Sequence, residues 1–516
     1  MDSKLKKFME DFSKLYAMGD LSVAESGTAL WMEAAPKNIP KGCESCIELG
    51  GIFDSAFAYP HSNPGEWSAA YLFRFPKMAR MVALWAHSRS FYSASDILPA
   101  ALWDERKMLE VSGAEFIGLK DQRPIVIHPE SRQFLKGRDR KARASEYVFL
   151  GTGAEEEFQI PVGPVHAGII EPGHFRFHVV GEKINKLEVR LSYLHKGIER
   201  LAENREPESL LTLIEQVSGD ESVANSVSYA QAVENAIGIK VPARAESLRL
   251  ILLEMERVYN HLADVGGMSM DIGYYASSSQ FTALREDMMR LNERVAGNRF
   301  LRNLVSIGGL SRDIPGEKLT ELKAGLKPFL KTLLAVEKLT MSSSTFLDRV
   351  FTTGRVFPQT AKELSLVGPA ARACGISCDA RKHFPYGAYK SSPVNEALAA
   401  DGDVLARFMV KLAEMKESVR LIGSVAGKIE KGPISARTGK GKTKNPGMGI
   451  GICESPRGSS TTVVQLGKNG SVARLLIRTA SFRNWRAVEK AVKSNIVADF
   501  PLINKSFNLS YSGADL

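Results

Sequence analysis

The sequence predicts an α+β fold, with a small N-terminal α+β domain followed by a larger, mainly α-helical domain that carries small β-sheets. The chain has 516 residues, which is more than one hydrophobic core usually supports. Its apolar fraction of 44% and charged fraction of 24% are typical of a packed globular protein. Alternating, strand-like runs occur mostly early, whereas later segments place apolar residues at helical spacing.

The first domain is predicted to span residues 1–135. It mixes helical pieces with strand-like runs at 71–75 and 125–127. A polar, basic and glycine-containing stretch at 136–157 is interpreted as a linker. The second domain is then expected to span 158–516.

The second domain is predicted to be chiefly a helical bundle. An alternating strand is expected at 175–180. Apolar positions spaced by three and four predict one long helix over 244–265, ended by Gly266 and Gly267, with His261 and Asp264 on its polar side. An interhelix hydrogen bond is the expected role of those two side chains. Two similar helices are predicted over 281–304 and 404–425.

Charge and cysteine content exclude several classes of protein. The net charge is +10, and basic residues cluster at Lys428, Lys431, Arg437, Lys440, Lys442 and Lys444. No aromatic residues are interleaved there for base stacking, so an exposed loop or subunit contact is favoured over nucleic-acid binding. Five cysteines suggest a reducing, cytoplasmic setting rather than a disulfide framework. No apolar run approaches the roughly 20 residues that span a bilayer, so no transmembrane segment is expected.

Four segments concentrate polar residues that would be costly in an ordinary core: 163–177, 254–264, 368–381 and 453–458. Together and in order, they resemble the large subunit shared by group 4 membrane-bound nickel–iron hydrogenases of formate hydrogenlyase type and the quinone-side catalytic subunit of respiratory complex I. The resemblance covers roughly residues 95–516. The first domain resembles the smaller complex I subunit, and the fused order matches the formate hydrogenlyase large subunit.

The sequence departs from the hydrogenase pattern where that pattern carries its metal ligands. The four ligand cysteines of the hydrogenase branch correspond here to Ser218, Glu221, Ser510 and Gly513. A soft metal centre needs thiolate sulfur, which none of these residues supplies. The chain is therefore expected to hold no metal, and quinone stays open as the one cofactor that it could bind itself.

The complex I branch is matched imperfectly as well. That branch has a quinone-binding tyrosine where this chain has Gly219, and a histidine where this chain has the hydrogenase-like Glu171. The resemblance implies a proton-relaying role for Glu171 and places Arg457 over the centre, with Asp379 and Arg381 on a charged strand nearby. His166, His174 and Tyr229 are candidate substitutes for the missing quinone-binding groups. The candidate catalytic residues are thus Glu171, His166, Asp379, Arg381, Arg457 and Tyr229.

The resemblance implies a metal-free large subunit of a membrane-associated, energy-converting oxidoreductase complex. Electrons would come from iron–sulfur clusters in a partner subunit, and their transfer to an acceptor would be coupled to ion translocation. The expected location is peripheral, on the cytoplasmic face of the cell membrane, beside membrane subunits. Three alternatives stay open: a quinone-reducing subunit of complex I type, a non-catalytic assembly scaffold, and a hydrogenase that uses a different metal.

Overall fold

The N-terminal region is built on a five-stranded sheet in the order β1-β2-β5-β4-β3. The computed structural model describes residues 3–16, 22–26, 29–61, 63, 65–128, 147–168, 170–436 and 447–516. Neighbouring strands are antiparallel except β2 and β5, which are parallel. The elements are α1 (Ser3–Tyr16), β1 (Ser22–Ser26), β2 (Ala29–Glu33), α2 (Ile39–Glu48), β3 (Ile52–Pro60), β4 (Trp67–Phe75), β5 (Arg80–Ser88), β6 (Ser90–Tyr92), α3 (Leu102–Ser112) and β7 (Glu115–Ile117).

Both faces of this sheet are buried, against different partners. Side chains alternate between the faces of a strand, so Tyr71 and Phe73 of β4 pack under α1, α2 and α3. Ala70 and Leu72 point the other way, toward a second sheet that belongs to the C-terminal part of the chain. The N-terminal sheet is therefore fixed to the rest of the molecule by an apolar layer.

The rest of the chain is largely helical and contains two three-stranded antiparallel sheets, β8–β10 and β13–β15. Its first elements are β8 (Phe158–Val162), β9 (His174–Val180), β10 (Lys183–Arg190), α4 (Ile198–Leu201), α5 (Leu211–Glu215), α6 (Ser222–Ile237), α7 (Ala243–Asp271), α8 (Tyr275–Ala296), β11 (Val305–Ser306), β12 (Gly309–Leu310), α9 (Gly316–Met341), α10 (Ser344–Val350) and α11 (Pro358–Glu363). The last are α12 (Gly368–Arg372), α13 (Ala380–His383), α14 (Val404–Ala426), β13 (Met448–Ser455), β14 (Gly458–Leu466), β15 (Val472–Arg478), α15 (Ala480–Ala491), α16 (Phe500–Phe507) and α17 (Tyr511–Asp515).

Helix α7 is the centre of this second part, and it is buried along most of its length against α8, α14 and α16. Helix α6 lies beside it and packs on β13 with unusually close backbone contact. A Cβ atom added at Gly449 or Gly451 would lie 1.9 Å from the carbonyl oxygens of Ala232 and Ser228. Glycine at alternate positions of β13 thus lets the strand lie directly on the helix backbone.

The predicted fold class is confirmed, and so are the strand at 175–180 and the helix at 404–425. The helix predicted to end at Gly266 and Gly267 continues to Asp271. These glycines instead allow close approach: a Cβ at Gly266 would lie 3.3 Å from the Cβ of Phe281. The helix predicted over 281–304 begins earlier, at Tyr275, and ends at Ala296, before Gly297 with its positive φ.

The strand predicted at 125–127 is wrong. The amides of these three residues donate to the carboxylate of Glu110, so one side chain replaces a strand ladder. Of the proposed linker, 136–146 lies outside the described residues, and 147–157 forms no helix or strand. Much of the basic cluster, from 437 to 446, is also outside them, and the domain boundaries remain predictions. Among the described residues, no helix is long and apolar enough to cross a bilayer.

Candidate functional site

The fold brings to one place the four positions at which the resemblance predicts metal ligands in the hydrogenases. Ser218 follows α5 and its hydroxyl donates to that of Ser510, 3.0 Å away. Ser510 caps α17 by accepting from the amide of Gly513 at 2.9 Å. Glu221 lies in the same turn as Ser218, directly before α6. With Asp220 and Arg457, these residues form what we call the serine–acid site.

Arg457, from the turn between β13 and β14, holds both carboxylates of the serine–acid site. Its Nη1 and Nη2 lie 3.1 and 2.7 Å from the two oxygens of Asp220, and Nη1 lies 2.9 Å from Glu221. Burial raises the pKa of Asp220, but the adjacent guanidinium outweighs burial and holds that pKa below its ordinary value. Arg457 also donates to the backbone carbonyl of Asn508.

This donor set does not fit a nickel–iron centre. The hydroxyls of Ser218 and Ser510 are hydrogen-bonded to each other, the carboxylate of Glu221 is paired with the guanidinium of Arg457, and Gly513 has no side chain. Hydroxyl and carboxylate oxygens do not replace thiolates for a soft metal. Within the described residues, no group of three or more His, Cys, Asp or Glu side chains is arranged to hold a metal ion.

A chain of buried polar contacts leads away from the serine–acid site. The side chain of Asn508 donates to Asp264, which is also paired with Lys411 of α14. Burial raises the pKa of Asp264, but Lys411 overrides this effect and lowers that pKa to about 2. His261 lies one turn before Asp264 on α7, with 3.7 Å between its Nδ1 and the Asp264 carboxylate. Its Nε2 lies 2.9 Å from Glu414 of α14, which confirms the interhelix contact predicted for His261.

The contacts continue from Glu414 into a dense group of ion pairs. Arg372 lies 2.6 Å from Glu414 and 2.7 Å from Glu454. It also approaches Asp379 at 3.6 Å. Arg381 then joins Asp379, at 2.6 Å, to Glu254 on α7, at 3.0 Å.

The prediction that Asp379 lies on a strand is wrong. It caps the short helix α13, which begins one residue later. The structure places the Asp379–Arg381 pair at the far end of the chain of contacts from Arg457. The two ends are connected through the side chains of α7 and α14.

These residues form what we call the charge network. Its carboxyl groups are Asp220, Glu221, Glu254, Glu256, Asp264, Asp379, Glu414 and Glu454, and its cations are Arg257, Arg372, Arg381, Lys411 and Arg457. Carboxyl groups outnumber Lys and Arg in this set, and unpaired buried charges are costly, which favours a proton on some of these carboxyls. Two of them are suited to do so. Burial raises the pKa of Glu256 well above its ordinary value, and the nearby Glu221 adds to that effect. Burial and Asp379 likewise raise the pKa of Glu454.

The other sequence-predicted residues lie apart from this network. Glu171 accepts from the amides of Tyr511 and Ser512 at 3.0 and 3.2 Å, so it adjoins Ser510 at the start of α17. Nε2 of His166 lies 2.7 Å from the carbonyl of Gly173, within its own loop. The hydroxyl of Tyr229 donates to the carbonyl of Pro207 at 2.9 Å. Glu171 is therefore beside the serine–acid site, whereas His166 and Tyr229 bond to backbone elsewhere.

Sequence reasoning missed most of the charge network. Its signal was present in α7, where Glu254, Arg257, His261 and Asp264 recur at spacings of three and four within an otherwise apolar helix. Charged side chains on the buried stripe of a helix need partners on a neighbouring element. The partners, Lys411 and Glu414, lie about 150 residues further along the chain.

Comparisons with known proteins agree on one family. Residues 271–445 match the family described as "Respiratory-chain NADH dehydrogenase, 49 Kd subunit". Formate hydrogenlyase subunit 5 of Escherichia coli is 31% identical over 444 residues, which cover 83% of this chain and 78% of that protein. Hydrogenase-4 component G of the same organism is 33% identical over 443 residues, covering 83% of this chain and 76% of that protein.

A solved structure shows the same architecture. One chain of the membrane-bound sulfane sulfur reductase, an archaeal respiratory membrane complex, superposes with a TM-score of 0.65. It is 26% identical, and the match covers 70% of this chain and 99% of that one.

Proposed function

Since the chain belongs to the large-subunit family shared by membrane-bound hydrogenases and respiratory complex I, we propose that it is a metal-free member that couples electron transfer to ion movement. The charge network is the observation that carries this proposal. It contains buried carboxyl groups, some with lowered and some with raised pKa values. Such an arrangement suits the transfer of protons and the redistribution of charge.

Coupling needs an element whose state depends on the redox event and also biases ion movement. We assign that role to the charge network. An electron arriving near the serine–acid site would favour uptake of a proton by Asp220, Glu221 or Glu256. Asp220 and Glu221 share the guanidinium of Arg457, and the charges of these two carboxylates act on the nearby Glu256. Protonation of one carboxylate would weaken its ion pair, and the change would pass through Asp264 and His261 to Glu414.

The partners follow from the relatives. We infer that the chain works with an iron–sulfur subunit as electron donor and with membrane subunits that move the ion. The proposed location is peripheral, on the cytoplasmic face of the membrane. Lack of metal is tested by elemental analysis of the purified complex: iron is expected from partner subunits, whereas stoichiometric nickel would contradict a metal-free serine–acid site.

The coupling role is tested with His261→Gln. Glutamine keeps a hydrogen-bond donor toward Glu414 but cannot take up a proton in the physiological pH range. In membrane vesicles that contain the complex, we expect ion movement per electron to fall by about tenfold or more while electron transfer from the iron–sulfur donor continues. His87→Gln is the matched control, since His87 also contacts a glutamate, Glu33 at 3.1 Å, but on the N-terminal sheet.

Two results would contradict the proposed coupling role, and each would favour one of the alternatives. Unchanged electron transfer and ion movement in His261→Gln and also in Asp220→Asn would favour an assembly scaffold. Reduction of a quinone that is lost on replacement of Glu171 or His166, with ion movement unaffected by His261→Gln, would favour the quinone-reductase alternative.

A further inference from the structure

A cleft of about 740 Å³ opens at the opposite end of α6 from the serine–acid site. Its walls come from the last turns of α6, the first turns of α7, strand β13 and the segment directly after α13 that contains Phe384, Tyr386 and Tyr389. We call it the tyrosine cleft. At a rise of about 1.5 Å per residue, the two ends of α6 are roughly 20 Å apart.

The charge network reaches this cleft through a tyrosine hydroxyl. Tyr389 lines the cleft, and its hydroxyl donates to the buried carboxylate of Glu254. A hydroxyl both donates and accepts, so the oxygen of Tyr389 can accept a hydrogen bond from water in the cleft. Burial holds the pKa of Tyr389 well above its ordinary value, so this hydroxyl stays neutral. The neighbouring Tyr386 accepts from the backbone amide of Glu454 at 3.0 Å.

The cleft also contains a carboxyl group without a hydrogen-bond partner among the described residues. Glu246, in the first turn of α7, is half-buried in the cleft wall. Burial raises its pKa, and the charged groups that face it are Lys390, Arg249 and Glu234. In contrast, Glu234 is fixed by Arg249 at 2.6 Å and by the amide of Gly308 at 2.7 Å.

We propose that the tyrosine cleft is the entrance through which protons from bulk water reach the charge network, with Glu246 collecting them and Tyr389 passing them to Glu254. The inference rests on the proposed coupling function. A proton moves from Glu246 through cleft water to the oxygen of Tyr389, and the proton already on that hydroxyl moves to Glu254. Burial raises the pKa of Glu254, but Arg381 and Arg257 outweigh burial and hold that pKa below its ordinary value, so Glu254 passes the proton on rather than keeping it. While Glu254 is neutral, Arg381 keeps Asp379 and Arg257 keeps Glu414 as partners. The added positive charge is balanced by the electron that the iron–sulfur partner delivers at the serine–acid end.

Tyr389→Phe tests the entrance because it removes one hydroxyl and keeps the ring. The intact complex is reduced with a pulse of reduced methyl viologen, whose oxidation releases no protons, and proton uptake is followed with a pH-sensitive dye. We expect uptake to slow by about tenfold or more while reduction of the iron–sulfur clusters is unchanged. Tyr71→Phe is the matched control. Tyr71, on β4 of the N-terminal sheet, also donates to a buried glutamate, Glu105 of α3 at 2.7 Å. Its uptake rate should stay within about twofold of the wild type.

Two further variants keep the test decisive if Tyr389→Phe folds poorly. Glu246→Gln should slow uptake and Glu246→Asp should restore part of the rate, because only a carboxyl can collect a proton. Val241→Trp should slow uptake by filling the cleft from its wall. If His261→Gln slows uptake but the Tyr389, Glu246 and Val241 variants do not, the entrance is refuted and the coupling function stands. If none of them slows uptake, both are refuted.

Discussion

Arg457 and Asp220 face each other through two parallel N–H···O contacts of 3.1 and 2.7 Å, and the same guanidinium neutralises Glu221. Arg457→Met would leave both carboxylates without their cation in a largely buried site. We expect the free energy of unfolding to fall by about 3–5 kcal/mol, as measured by denaturant titration. Arg457→Lys should lower the free energy of unfolding by less, because lysine keeps the positive charge although it cannot make both contacts to Asp220.

An exposed ion pair supplies the control for that measurement. Arg290 pairs with Glu286 at 2.8 Å on the surface of α8. Arg290→Met should lower the free energy of unfolding far less than Arg457→Met, because solvent screens such pairs. Similar losses in Arg290→Met and Arg457→Met would contradict a special role for the buried pair.

Asp264 should make the protein sensitive to acid. Its pKa of about 2 in the folded chain is below its ordinary 3.8, so ionised Asp264 favours folding at neutral pH by about 2 kcal/mol. That contribution is present above about pH 4 and is lost as the pH falls toward 2. Asp264→Asn should therefore lower the unfolding temperature at pH 7, with a difference that narrows in acid. The exposed Asp401→Asn should leave the whole pH profile nearly unchanged, whereas a constant difference for Asp264→Asn would refute the assignment.

Glu171 should control the protonation of Asp515. Burial, with the nearby charge of Glu171, raises the pKa of Asp515 to about 7, although the amides of Ser192 and Leu194 oppose the shift. Because the folded pKa is raised, Asp515 costs stability as the pH rises from about 4 toward 7. Glu171→Gln should lower the pKa of Asp515, which infrared titration of its carboxyl band in isotopically labelled protein can follow. A band that titrates at the same pH in both proteins would contradict the coupling.

The close contact between β13 and α6 should tolerate no side chain. In Gly451→Ala the new Cβ would meet the backbone carbonyl of Ser228 at 1.9 Å, so the strand or the helix must move. We expect a loss of about 3 kcal/mol or more in unfolding free energy. Gly423→Ala, in open space within α14, should instead stabilise by about 0.5–1 kcal/mol through helix propensity. Equal effects of the two substitutions would show that the contact is not tight.

Positions 218 and 513 should be close enough for a disulfide bond. A Cβ at Gly513 would lie 3.5 Å from the Cβ of Ser218, within the range found in disulfides. The double variant Ser218→Cys, Gly513→Cys should therefore form a disulfide under mild oxidation, detectable by mass spectrometry. Ser218→Cys alone should form no intramolecular disulfide, since the described cysteines are buried elsewhere as free thiols.

The sequence allowed some of the site to be predicted, because some of its features are local. Apolar spacing located α14, and alternation located β9. The flanking motifs placed Ser218, Glu221, Ser510 and Gly513 at equivalent positions, and the fold does bring them together. Gly266 and Gly267 were wrongly predicted to end α7. Their role depends on the residues that pack against them, Phe281 and Lys505, which the sequence does not identify.

The charge network could not be predicted because its pairs are distant in sequence. Asp264 and Lys411 meet only when α7 packs on α14, 147 residues apart along the chain. Spacing within α7 shows that its charged stripe needs partners, but not which helix supplies them. The same limit applies to Arg457, whose partner Asp220 is 237 residues away.

The interlock of β13 with α6 bears on how the proposed coupling would work. Gly449 and Gly451 each face a carbonyl of the helix, so α6 cannot slide along the strand without a collision between backbones. The serine–acid site precedes one end of α6 and the tyrosine cleft adjoins the other, so this interlock holds the separation between them constant. We therefore expect α6 to keep its position on β13 during turnover. Charges would move between fixed side chains while the helix itself does not slide.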